Sequence, residues 1–242
     1  MALRIAMWSA PRSVGTALMR SWHSRSDTAV TDEPFYGYYL AKSGVDHPGR
    51  EQALAAQPHD WQVVVKYLLG PVPGGRPVWY MKLHAHQILP TVRRDWLSGV
   101  TNCFLIRHPA LILRSYGQIR PSFDMSDLGL TNLREIFEQV RAQHGRIPPV
   151  VEASDLQQDP ERILRALCDA VGVKYQPTML SWQPGSRSTD LATSQYWYAK
   201  VNKTSCFLGP GEAGILPVPE SQHALFDECM DCYEALFPYR LR

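Results

Sequence analysis

Short, unbroken apolar runs that end on a turn signal and give way to a helical pattern constrain this chain more than any other feature. LRIAMW (3–8) runs into the breaker APRS, and Val14, Leu18 and Trp22 then recur at i+4 spacing, which predicts a helix over 14–25. VWYMKLH (78–84) and VTNCFLI (100–106) read as two more buried strands. A helix is expected over 89–98, and another from RHPALILRSYGQI, with Pro109 in its first turn. DTAV (27–30) is a shorter strand, stopped by Pro34 of DEPFY. PPVVEASDL reads as the last strand, followed by Asp159 and Pro160 as N-cap and first residue of a helix to about Val171. Residues 131–144 read as a polar-faced helix, 41–60 as loop with a short helix near 50–57, and WQVVVKYLL (61–69) fits strand or helix equally. Strands alternating with helices give an α/β class with a mainly parallel central sheet. One domain is expected over 1–242, with less regular inserts near 35–75 and 182–220.

Charge and cysteine usage remove several classes. A formal net charge of +2 over 242 residues is too small a field for a generic nucleic-acid binder. No run approaches the ~20 apolar residues of a membrane helix, and MALRIAMW is too short for a signal peptide. A soluble, cytoplasmic protein without membrane or nucleic-acid partners is therefore expected. The five Cys are odd in number and loosely spaced, against a disulfide framework. Cys229 and Cys232 lie three apart on a helical pattern, with no second pair at zinc-ligand spacing, and read as packing residues.

Ligands in parallel sheets bind beyond the carboxyl ends of the strands. That rule collects the 9–16 loop, DEPFY (32–36), KLHAH (82–86) and RHP (107–109) on one rim. A strand followed by a helix N-terminus presents free N–H groups and the positive dipole end, a setting for phosphate. The loop departs from the Walker A pattern. Aligned on Gly15, Ala10 replaces the first glycine, Thr16 the lysine, and Ala17 the hydroxyl that holds magnesium. What remains is an anion cradle with one cation, Arg12, and the hydroxyls of Ser13 and Thr16.

Pro11, Arg12, Ser13 and Thr16 after the first strand, with Arg107, Pro109 and Ser115 after a later one, resemble the two motifs of the sulfotransferases that use PAPS (3′-phosphoadenosine 5′-phosphosulfate). VVEASDLQQDPERILRALCDAVGV resembles a late strand-and-helix segment of the same family. The resemblance implies a three-layer, P-loop NTPase-like fold and sulfuryl transfer from PAPS to a hydroxyl or amine of a small acceptor, leaving PAP and needing no metal. It implies that Pro11, Arg12, Ser13, Val14, Gly15 and Thr16 hold the 5′-phosphosulfate and that Arg107 and Ser115 hold the 3′-phosphate. Val14 stands where the family usually has glycine. YWYAKVNKTSCFLGPG (196–211) is the expected lid over the nucleotide.

Such an in-line displacement needs donors for the transferring group, a base for the acceptor proton and a site that excludes water. Lys82 is a further donor. KLH resembles members that use the histidine, His84, as base; DEPFY resembles bacterial members that use the glutamate, Glu33. The apolar neighbours Pro34, Phe35 and Tyr36 are expected to raise the Glu33 pKa, which favours Glu33. His86, on the same strand face as His84, is a third contender and an acceptor-site residue. Phe35 and Tyr36, with Tyr38, Tyr39, Tyr196, Trp197 and Tyr198, are candidates for the acceptor pocket. A nucleotide kinase or NTPase, and a non-catalytic nucleotide-binding protein of the same fold, are the alternative readings.

Overall fold

The computed structural model describes residues 2–209 and 217–242. Five strands form one sheet, β1 (Leu3–Ser9), β2 (Thr28–Asp32), β3 (Val78–His84), β4 (Thr101–Ile106) and β5 (Val150–Glu152). Their order is β2-β3-β1-β4-β5, and every pairing is parallel. Alternation along β1 explains the layers. Ile5 and Met7 face a core shared with Leu18, Met19 and Trp22 of α1 (Gly15–His23), while Ala6 and Trp8 face the opposite core.

Chain order continues with α2 (Tyr36–Ser43), α3 (Arg50–Ala56), α4 (Trp61–Leu69), α5 (Pro109–Gly117), α6 (Met125–Leu128), α7 (Leu130–His144), α8 (Ala153–Gln158), α9 (Pro160–Val171), α10 (Ser194–Trp197) and α11 (His223–Leu236). α8 and α9 join α1 on one face; α4, α5, α7 and α11 pack on the other. Cys229 and Cys232 are buried on α11 in that second core. No helix among the described residues is long and apolar enough to cross a membrane.

Four local expectations are corrected or resolved. Residues 61–69 are helical, started by Asp60, whose carboxylate accepts from Gln62 N–H at 2.8 Å. Residues 36–43 form α2 rather than loop. Tyr and Gly are weak helix formers, but burial of Tyr36, Tyr38, Tyr39 and Leu40 overrides propensity. The helix expected over 89–98 is absent. Pro90 has no N–H and disfavours helical backbone before it, and the span carries one 3₁₀ turn, Asp95–Gly99, after another at Ala85–Gln87 that precedes it. PPVVEASDL is a strand for three residues only. The Glu152 carboxylate then caps α8, accepting from Ser154 N–H at 2.6 Å and Asp155 N–H at 2.9 Å.

Candidate active site

The loop after β1 is built on two left-handed residues that are not glycine, Arg12 (φ 63°) and Val14 (φ 56°). Such backbone costs about 1–2 kcal/mol per residue and is held where the surroundings over-determine it, commonly at functional sites. Val14 thus adopts the conformation that glycine favours, which accounts for the family's usual choice there. α1 begins at Gly15 with no side-chain cap and no acidic residue in its first turn, so its N–H groups are left to an anion. Ser13 Oγ is buried beside them without a partner.

Two guanidiniums close the loop's other side. Arg107 Nη1–H donates to the Arg12 carbonyl (2.6 Å), and Arg107 Nε is buried without a partner. Arg12 Nε–H donates to Ser115 Oγ (3.0 Å) and its Nη1–H to the Trp197 carbonyl (3.3 Å). Neither guanidinium is paired with a carboxylate among the described residues. Burial lowers the pKa of both, and the charge of Arg12 lowers Arg107 further. Two partly desolvated cations side by side leave positive charge without a carboxylate counter-ion among the described residues. The loop, Arg107 and Ser115 line one cavity of about 620 Å³.

Deeper in that cavity lies an acid–base cluster assembled by strand register. Asp32 of β2 is level with Lys82 of β3, and Ser9 of β1 with His84. The Lys82 ammonium donates to Asp32 Oδ1 (2.9 Å), to Tyr198 Oη (2.9 Å) and, by a short contact, to Glu33 Oε1. An ammonium has three donors, and all three are committed. Burial lowers the Lys82 pKa, but Asp32 and Glu33 outweigh it and hold the lysine charged. Glu33 Oε2 accepts from Gln87 Nε2 (2.7 Å) and lies 3.3 Å from His84 Nδ1. The expected rise in the Glu33 pKa is therefore corrected. Burial does push it up, but His84 and Lys82 beside it prevail and hold it well below the usual carboxylate range. Asp32, which drew no attention in the sequence, is fully enclosed; burial raises its pKa. Its Oδ2 accepts from Tyr198 Oη–H (2.7 Å) and Leu191 N–H (3.1 Å), tying the C-terminal segment to the strand ends.

β3 ends at His84, so His86 sits in the following 3₁₀ turn rather than on the same strand face, yet the two imidazoles remain 5.4 Å apart. Tyr36, His84, His86, Trp197 and Tyr198 line the cavity, as does His47, which the sequence did not single out. Phe35 does not. Its ring is buried in the core 5.7 Å from Trp96, because α2 turns that face toward the sheet. Tyr38 bonds Thr91 in the core, Tyr39 packs edge-on to His86, and Tyr196 is exposed. Of the expected lid, Trp197, Tyr198, Lys200, Val201, Thr204 and the run 206–209 border the cavity. Residues 210–211 lie outside the described ones. A buried ion pair joins Arg20 to Asp190, and Arg20 also donates to Asn202 Oδ1 (3.3 Å) within the 196–211 segment.

Burial pushes the His47 imidazole down to about 4, with the charge of Arg120 adding to it. A free histidine titrates near 6.5, so the unfolded chain takes up this proton first as pH falls. Stability is present above about pH 6.5 and is lost toward pH 4, by about 3 kcal/mol for this group. Guanidinium unfolding at about pH 7 and about pH 5 should show a lower midpoint in acid, with a smaller drop in His47→Phe; equal drops would refute the assignment.

Comparison with known proteins agrees with this architecture. The sulfotransferase-domain family model matches residues 3–238. Two Arabidopsis thaliana proteins, branched-chain-amino-acid aminotransferase-like proteins 2 and 1, are each 34% identical over 232 residues, 96% of this chain. The chain spans only 41% of either one's length. Among solved structures, the sulfotransferase domain of the Synechococcus PCC 7002 olefin synthase is similar with a TM-score of 0.55 at 17% identity, covering 100% of this chain and 96% of that one. A sulfotransferase from Alicyclobacillus acidocaldarius gives 0.55 at 13% identity, covering 100% and 98%. The family match over nearly the whole chain, on a five-strand parallel sheet, means that this chain belongs to the sulfotransferase family.

Proposed function

We propose that the cavity binds PAPS and directs its sulfuryl group to a hydroxyl of a small acceptor. The observation that carries this reading is the pair of half-buried guanidiniums, unpaired with a carboxylate among the described residues, beside an uncapped helix N-terminus, in the same cavity as a histidine–carboxylate pair. The residues fit a nucleotide with two anionic ends. Ser13 Oγ and the α1 N–H groups face one end, and Arg107 Nε, still without a partner, the other. Arg12 is bonded to Ser115.

Bound PAPS supplies an activated sulfuryl group on a 5′-phosphate leaving group. The acceptor oxygen forms a bond to sulfur as the bond from sulfur to the 5′-phosphate oxygen breaks. His84 takes the acceptor proton. Its Nδ1–H is oriented by the Glu33 carboxylate, which leaves Nε2 as the basic nitrogen. Glu33, kept ionised, stabilises the imidazolium that results. The loop N–H groups and Arg12 meet the charge that develops on the departing phosphate. Lys82, with three donors filled, acts by holding Glu33 and Asp32; it gains a donor for substrate only on releasing Tyr198.

PAP should raise the thermal midpoint, since a ligand bound only by the native state stabilises it by mass action. The shift should be the same in EDTA, because the loop lacks the lysine and hydroxyl that place magnesium on a triphosphate. No shift with PAP, or one that requires magnesium, would contradict the reading.

A further inference from the structure

One closed circuit of hydrogen bonds ties the C-terminal segment to the acid–base cluster. Tyr198 Oη accepts from Lys82 Nζ (2.9 Å) and donates to Asp32 Oδ2 (2.7 Å), while Lys82 Nζ donates to Asp32 Oδ1 (2.9 Å). The circuit is buried, with the Asp32 side chain fully enclosed and Tyr198 only 4% exposed. Leu191 N–H adds a bond to Asp32 Oδ2 (3.1 Å). The same segment meets the anion loop, where the Trp197 carbonyl accepts from Arg12 Nη1–H (3.3 Å), and Trp197, Tyr198, Lys200 and Val201 line the cavity. Its middle has little apolar hold, since α10 has no buried residue. Polar bonds hold it instead. Arg20 grips Asp190 and Asn202 on either side, and Asp32 grips Leu191 and Tyr198 between them.

We propose that Tyr198 is a positioning residue whose hydroxyl clasps the 190–202 segment against the anion loop and, through Lys82, fixes the Glu33–His84 pair, so that release of the nucleotide and disordering of the base are one event. The nucleotide and the base rest on the sulfotransferase reading; the clasp is a property of the folded chain itself. Energy carries the first half. Lifting the segment leaves an enclosed carboxylate two partners short and an ammonium one partner short, a costly state unless water enters. Connectivity carries the second half. The third Lys82 bond goes to Glu33 Oε1, and Glu33 Oε2 lies 3.3 Å from His84 Nδ1. An ammonium has three donors, so losing Tyr198 obliges Lys82 to redistribute its bonds between Asp32 and Glu33, and the carboxylate that orients His84 moves with them.

The test is Tyr198→Phe, which keeps the aromatic ring and deletes one oxygen. PAP should leave the immobilised variant about tenfold faster in surface plasmon resonance, the order expected for losing one hydrogen bond to a charged group. The Leu191 amide should exchange with deuterium about tenfold faster. The ¹⁵N signals of the His84 imidazole should shift, although Tyr198 makes no hydrogen bond with His84 among the described residues. Unchanged amide signals from the central strands report that the variant folds. Asp32→Asn opens the same circuit, so the double variant should release PAP no faster than the faster single one. Release at the wild-type rate in Tyr198→Phe would overturn the clasp. Faster release with unmoved His84 signals would reduce Tyr198 to a structural residue, and multiplying effects in the double variant would separate it from Asp32; either result overturns the proposal. If the wild-type protein does not bind PAP, the nucleotide reading fails and the other two signals decide the clasp: movement of both supports it, and either one unmoved overturns it.

Discussion

Replacing His84 with glutamine should lower sulfuryl-transfer turnover by roughly 10²–10⁴-fold at saturating PAPS, the range for loss of a positioned general base. PAP affinity should stay close to wild type, because His84 belongs to the acid–base cluster rather than to the guanidinium pair. Glu33→Gln should cost less. Glutamine still fills the place beside His84 Nδ1 and Gln87, and Lys82 keeps Asp32 as counter-ion at 2.9 Å. What is lost is the charge that stabilises the imidazolium. The opposite ranking, an inactive Glu33→Gln beside a His84→Gln with wild-type turnover, would return the base to Glu33. Full turnover in both would mean that neither takes the proton.

Arg107→Ala should abolish most of the thermal shift that PAP produces. It removes the guanidinium bonded to the loop carbonyl of Arg12, together with the unpartnered Nε proposed to meet the 3′-phosphate. Charge-assisted bonds to phosphate are about twice as strong as neutral ones, so the loss should exceed that in Ser115→Ala, which removes one hydroxyl. The unliganded variant should melt no lower than wild type. The charge of Arg12 lowers the Arg107 pKa, and removing Arg107 relieves that repulsion. Equal responses to PAP in wild type and Arg107→Ala would show that the 3′-phosphate is held elsewhere.

The parts of the fold that were legible are those that local pattern decides. Four of the five strands appear as apolar runs, and the turn after β1 announces itself in Pro11, Arg12 and Ser13. The rim rule then gathers Glu33, Lys82, His84 and Arg107 correctly, because parallel strands end on one side. What was hidden depends on partners distant in the chain. α2 exists because tertiary burial outweighs the poor propensity of YGYYL. Phe35 and Tyr36 are adjacent in sequence, yet helical geometry sends one ring to the core and the other to the cavity. The Glu33 pKa was misjudged because its apolar sequence neighbours were counted and Lys82, 49 residues away, was not. Asp32 and His47 carry no motif. Their importance comes from Tyr198, 166 residues beyond Asp32, and from Tyr36 across a loop.

The central claim is most directly tested by incubating the purified protein with ³⁵S-labelled PAPS and 4-hydroxyacetophenone in EDTA, then separating the products. The account predicts label on the phenolic oxygen with an equal amount of PAP released, and loss of both in His84→Gln. PAP released without label on the acceptor, or label transfer that requires added magnesium, would contradict it.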